Sequence, residues 1–156
     1  MSSELGDLYQ EVILEHSKAP RNFRRPASVN HEADGYNPLC GDRCSVYIDM
    51  EGDKIEEIGF QGSGCAISRA SASMMTQMVK GKTKEEAAQL FEQFHNLVTG
   101  KDETSAAEEL GKMAVFAGVS KFPARVKCAT LAWHTLHKAI EDEKDKTPPA
   151  AETSGR

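Results

Sequence analysis

Four cysteines, at positions 40, 44, 65 and 128, are the side chains best suited to metal or sulfur chemistry. Cys40 stands in Asn37-Pro38-Leu39-Cys40-Gly41-Asp42, where proline fixes one dihedral and glycine frees the next turn. A thiol and a carboxylate two residues apart on such a loop can share one zinc ion, because Zn²⁺ takes sulfur and oxygen ligands at about 2.0 to 2.3 Å. An incidental loop cysteine is the competing reading. Cys65 follows Gly62-Ser63-Gly64, where the pattern changes from strand to helix. Free amides and the positive end of a helix dipole favour a thiolate there, which marks either a reactive or ligating thiol or a buried capping cysteine. Cys128 falls about 110° from the centre of the apolar stripe of the last helix, on the side of Arg125, Leu131 and Ala132. That edge position suits a ligand reaching toward a loop, and it suits simple packing as well. Cys44 alternates with Val46, Ile48 and Met50, so it belongs to a hydrophobic strand face and to the core.

The histidines compete poorly for a place in such a site. His134 and His137 are near Cys128 in sequence but stand about 240° and 180° around the helix from it. His16, His31 and His95 are scattered and read as exposed or internally satisfied, His31 alone sitting in a loop able to approach a metal. The carboxylate of Asp42 is the better fourth ligand. No G-x-S-x-G, P-loop, H-E-x-x-H, dinucleotide fingerprint or C-x-x-C is present, which leaves the scattered thiols as the source of chemistry.

The elements that must carry these residues follow from periodicity. Leu5, Leu8, Tyr9, Val12 and Ile13 predict an amphipathic helix ending before Pro20. Residues from about Ala27 to Asp42 have loop chemistry with room for at most one short strand. Alternation through Cys44, Val46, Ile48 and Met50, then Ile55, Ile58 and Phe60 around Glu51-Gly52, predicts an antiparallel hairpin. A helix begins at or just after Cys65 with Ile67, Ala70, Ser71, Met74 and Met78 on one stripe. A third carries Ala87, Leu90, Phe91, Phe94 and Val98. A fourth, shorter one through Ala106, Leu110, Met113, Ala114 and Ala117 ends near Gly118. The last runs from Pro123 to about Glu143, with Val126, Ala129, Trp133, Leu136 and Ile140 inward. The order predicts an α+β fold, a small antiparallel sheet of about three strands with helices on one face.

The 156 residues, with 39% hydrophobic and 28% charged side chains, predict a single domain over 1–143 and a disordered tail over 144–156. A net charge of -5 leaves no basic field, so neither nucleic acid nor a membrane surface is an expected partner. With no long apolar run and no signal-like start, a cytoplasmic protein is expected, in a compartment where structural disulfides are rare.

Three ordered motifs, Asn37 to Asp42, Gly62 to Ser68 and Gly118 to Cys128, each with one ligand-capable cysteine, closely resemble the IscU/NifU-like iron-sulfur cluster assembly family over roughly residues 5–142. Scaffold members carry histidine directly before the third cysteine, whereas this chain has Lys127, with extra sequence between Cys65 and Cys128. Both departures are similar to the SufU branch. The resemblance implies zinc held by Cys40, Asp42, Cys65 and Cys128, and sulfur transfer with a cysteine desulfurase of the SufS type. It implies that a desulfurase histidine replaces Cys40 on zinc, freeing its thiolate to accept persulfide sulfur, for delivery to downstream iron-sulfur assembly proteins. Such a site is doubly negative, and Arg125, one turn before Cys128, could offset that charge. The alternatives are a scaffold carrying a transient iron-sulfur cluster on the same ligands and a structural zinc module without chemistry.

Overall fold

The computed structural model describes residues 11–39, 41–101 and 111–141. A helix, α1, occupies 11–18 of the described chain. It is followed by β1 (His31–Asn37), β2 (Asp42–Glu51), β3 (Lys54–Ser63), α2 (Ala66–Val79) and α3 (Lys84–Val98). A 3₁₀ helix (Gly111–Lys121) and α4 (Pro123–Glu141) complete the order. None of the described helices is long and apolar enough to cross a membrane. The expected domain end at 143 and the tail over 144–156 fall outside the described residues.

The strands form an antiparallel meander in the order β1-β2-β3. Period two decides which side faces the helices: Val46 pairs with Phe60 and Ile48 with Ile58, placing four buried side chains on one face. Cys44 shares that face at 4% exposure, as its alternation predicts. Burial, and secondarily the Asp34 carboxylate, pushes its thiol up to about 12, so it stays protonated. Between Ala27 and Asp42, where loop chemistry leaves room for at most one short strand, β1 pairs along all seven of its residues with β2, from His31↔Ile48 to Asn37↔Asp42.

Helix α4 crosses the inner face over β1 and β2, with α2 beside it. Gly35 permits the approach, because a Cβ there would overlap Thr135 Oγ1 of α4. Ser71 Oγ of α2 donates to Ala129 O of α4 at 2.6 Å, tying the two helices through a buried hydrogen bond. The predicted stripe of α2 is too narrow: Met75 and Val79 are fully buried, since α2 packs against both α4 and β3. Helix α3 opens with a complete capping box between Thr83 and Glu86, which satisfies free amides at both positions.

The described part of the expected fourth helix is 3₁₀ rather than α, and it runs past Gly118 to Lys121. Its buried Met113, Phe116 and Val119 recur every three residues, which a repeat of 3.0 per turn aligns in one row, and Val115 is buried as well. Phe116 meets Phe94 edge-on at 5.7 Å, and Phe94 stacks on Trp133 at 5.3 Å. This aromatic column joins α3, the 3₁₀ helix and α4, and anchors the last helix relative to the sheet.

Candidate metal centre

Three elements end at one place. Asp42 opens β2, Cys65 caps the N-terminus of α2, and Cys128 lies on the second turn of α4. One ligand atom from each lies within 4.8 Å of the other two. Asp42 and Cys128 are 1% and 4% exposed, whereas Cys65 is open to solvent.

The chain around each ligand fixes its direction. The backbone N–H of Cys65 donates to Asp42 Oδ1 at 3.1 Å, and Asp42 Oδ2 lies 4.0 Å from Cys65 Sγ. One carboxylate oxygen is thus held by the main chain while the other faces the thiol. Gly64 makes room for this, since a Cβ there would stand 2.5 Å from Asp42 Oδ1. Cys65 Sγ accepts from the N–H of Ser68 at 3.4 Å, so the thiol occupies the cap position of α2, where the helix dipole favours negative charge. Asn37, 6% exposed, reaches Cys128 Sγ with its Nδ2 at 4.0 Å. Its Oδ1 accepts from Leu39 N at 3.2 Å and its main-chain oxygen from Gly41 N at 2.7 Å, closing the turn that leads into Asp42.

A tetrahedral zinc site has ligand–ligand edges on the order of 3.5 to 3.8 Å, set by bonds of about 2.0 to 2.3 Å. Cys65 and Asp42 at 4.0 Å are within a small side-chain rotation of that edge. Two sulfurs and one oxygen on three separate elements therefore fit a zinc ion and leave a fourth position to be filled. Cys40 lies outside the described residues.

The remaining sequence candidates fall elsewhere. Arg125 is exposed and stacks over the Phe122 ring at 5.7 Å. Lys127 is also exposed. His31 is not in a loop. It starts β1, six residues, or roughly 20 Å of strand, from Asn37, and bonds Asn30 Oδ1 at 2.9 Å. His134 and His137 pack around Phe91, away from Cys128 as their helical angles predict. His16 is buried and bonded to Ser73 Oγ at 2.7 Å, an internally satisfied histidine. Asn37 and Gly64 also shape the site without being ligand types. Asn-Pro and Gly-Ser-Gly look like turn punctuation, and only the pairing of Asn37 with Asp42 and the approach of Gly64 to that carboxylate give them a role.

Tyr36, Leu39 and Phe122, at 54%, 68% and 55% exposure, are large hydrophobic side chains open to solvent beside the ligand segments. Arg43 stacks over Tyr36 at 4.9 Å as Arg125 does over Phe122.

Comparison with known proteins agrees with this architecture. The model of the NifU-like N-terminal domain matches residues 8–129. The chain is 47% identical over 139 residues to the iron-sulfur cluster assembly scaffold protein IscU of Streptococcus pyogenes serotype M1, covering 89% of this chain and 86% of that one. It is 43% identical over 143 residues to the zinc-dependent sulfurtransferase SufU of Bacillus subtilis, covering 92% and 96%. A crystal structure of SufU from Fervidobacterium islandicum AW-1, described as a candidate scaffold protein for the SUF system, superposes with a TM-score of 0.78 at 36% identity, covering 83% and 94%. With the family model spanning most of the chain and the same fold found in these relatives, the protein belongs to the NifU-like N-terminal domain family, together with proteins named IscU and SufU.

Proposed function

We propose that this protein is a zinc-dependent sulfur carrier in iron-sulfur cluster assembly, accepting sulfane sulfur on Cys40 from a cysteine desulfurase of the SufS type. The observation that carries the reading is the meeting of Asp42, Cys65 and Cys128 within 4.8 Å, at the end of a Pro- and Gly-bounded turn. Cys40 is two residues from Asp42, so covalent geometry alone keeps its Cα within about 7 Å of that ligand's. It is the available fourth donor. Bound zinc would hold Cys40 as a thiolate at neutral pH and keep the turn in place.

The chain's own groups then do the rest. Asn37 and the Gly41 amide hold the turn, Asp42 and Cys65 are fixed to each other through the main chain, and Cys128 anchors the site to the core. In transfer, the Cys40 thiolate attacks the outer sulfur of the desulfurase persulfide. The sulfur–sulfur bond to the enzyme cysteine breaks, a new one to Cys40 Sγ forms, and the enzyme cysteine leaves as a thiolate that takes up a proton, with no external oxidant. Leu39 and Phe122, close in sequence to Cys40 and Cys128, are exposed apolar side chains of the kind that anchor protein partners. Lys127, in place of a ligating histidine beside Cys128, supports transfer over cluster building.

Incubation with desulfurase and cysteine should add about 32 Da, one sulfur, to the Cys40 peptide, removable by reductant. Cys40→Ala should abolish stimulation of the desulfurase while the protein stays folded. A folded Cys40→Ala protein that stimulates at the wild-type rate contradicts the assignment. The second reading, a scaffold on which a cluster is built, is favoured by the similarity to the streptococcal scaffold protein. Brown protein with near-stoichiometric iron and sulfide from an anaerobic preparation would establish it in place of the first.

A further inference from the structure

Between Glu15 and Glu32 the chain carries Lys18, Arg21, Arg24 and Arg25 and no acidic residue, although its net charge is -5. Phe23 stands within this run and is 39% exposed. The loop that presents it is pinned at its backbone. Arg21 N donates to Ser73 Oγ at 2.8 Å and Asn22 Nδ2 to Thr76 Oγ1 at 2.9 Å, both acceptors belonging to fully buried residues of α2. Asn22 O accepts from Phe60 N of β3 at 3.0 Å. Asn22 has φ 60°, the one positive value at a non-glycine among the described residues, and asparagine tolerates it better than most side chains. Gly59 lets the loop lie against β3, because a Cβ there would overlap Arg24 O.

With the backbone fixed, the side chains are displayed in a set arrangement. The Phe23 ring meets Phe60 edge-on at 5.1 Å, and the guanidinium of Arg69, from α2, lies over it at 5.1 Å. Arg69 Nε donates to Ser17 O at 3.1 Å, and Arg69 has no carboxylate partner among the described residues. Arg24, with a side chain 53% exposed, shares the single carboxylate of Glu57 with Lys80, at 3.5 and 3.4 Å. Positive charge beside Phe23 therefore exceeds the negative charge that meets it. Exposed ion pairs of this kind hold their partners weakly, so incoming carboxylates can take over the guanidiniums. Arginine and aromatic side chains are the usual anchors of protein interfaces, and a loop already held in place loses little freedom on binding. The overall negative charge of the molecule repels a long polyanion, whereas a short acidic segment meets only the local excess.

We propose that Phe23, Arg24 and Arg69 form a docking surface for an acidic segment of a partner protein, whose carboxylates meet the two guanidiniums and whose one large apolar side chain covers the Phe23 ring. None of the three residues belongs to the candidate ligand set, so the surface is tested apart from the metal. The probes are a fluorescein-labelled peptide of glutamates flanking one central leucine, its analogue with alanine at the centre, and a labelled oligothymidylate of equal charge, each titrated with the full chain by fluorescence anisotropy. The leucine peptide should bind saturably at low salt and weaken at least about tenfold at physiological salt. The alanine peptide should bind at least about threefold more weakly, since it leaves Phe23 uncovered. Arg24→Glu should weaken the leucine peptide at least about fivefold with the circular dichroism spectrum unchanged. Its side chain touches no core residue, so this variant carries the test even where Phe23→Ala disturbs the packing on Phe60. Absence of saturable binding, equal affinity for the two peptides, or binding unchanged in Arg24→Glu would overturn the proposal. Tighter binding of the oligothymidylate than of the leucine peptide would overturn it too, by assigning the surface to nucleic acid.

Discussion

Asn37 shows how much of the candidate metal centre depends on a residue outside the proposed ligand set. It is buried, contacts Cys128 Sγ through Nδ2, and accepts the Leu39 amide on Oδ1, so it links one ligand to the turn that precedes another. Asn37→Ala should cost roughly 1 kcal/mol of stability, one net buried hydrogen bond. It should also raise the rate at which iodoacetamide modifies Cys40 in zinc-free protein, read by mass spectrometry. An unchanged rate would show that Asn37 does not hold the turn. The meeting of Asp42, Cys65 and Cys128 was legible in the sequence because thiols beside glycines and a carboxylate carry their chemistry in their type. Asn37 was not, because a polar turn residue acquires its role only from what the register sets opposite it.

At the scale of elements, the hairpin, the start of α2 at Cys65 and the span of α4 were readable because each is bounded by a change of hydrophobic period or by Gly and Pro. The 3₁₀ helix was not, because Met113, Phe116 and Val119 satisfy a spacing of three that an α-helix also tolerates locally. The junction between β3 and α2 carries the sharpest test. A methyl group at Gly64 would displace Asp42 Oδ1, the oxygen that the Cys65 amide holds. Because the displaced atom is the end of a side chain, Gly64→Ala should lower zinc retention in a chelator competition while the thermal midpoint of the zinc-free protein changes little. Equal loss of both would mean that Gly64 serves the fold rather than the site.

Across the whole molecule, α4 joins two different ends, with Cys128 near its start and His134 and His137 packed on Phe91 further along. Partial burial, reinforced by His95, His137 and Lys127, holds the His134 imidazole below its ordinary range. The unfolded chain then binds that proton more tightly. The contribution to stability is complete above the unfolded value of about 6.5 and is lost as the pH falls through the lower folded one. Urea midpoints should therefore fall more for wild type than for His134→Gln between about pH 7.5 and 5.5. Parallel curves would contradict this. The central claim, that Asp42, Cys65 and Cys128 from three elements hold one zinc ion while Cys44 belongs to the core, is tested most directly by metal analysis of protein purified without added metal. Wild type and Cys44→Ala should each carry about one zinc per chain, and Asp42→Ala, Cys65→Ala and Cys128→Ala should each carry markedly less. Full zinc in the Cys65→Ala and Cys128→Ala proteins, or its loss in Cys44→Ala, would contradict the account.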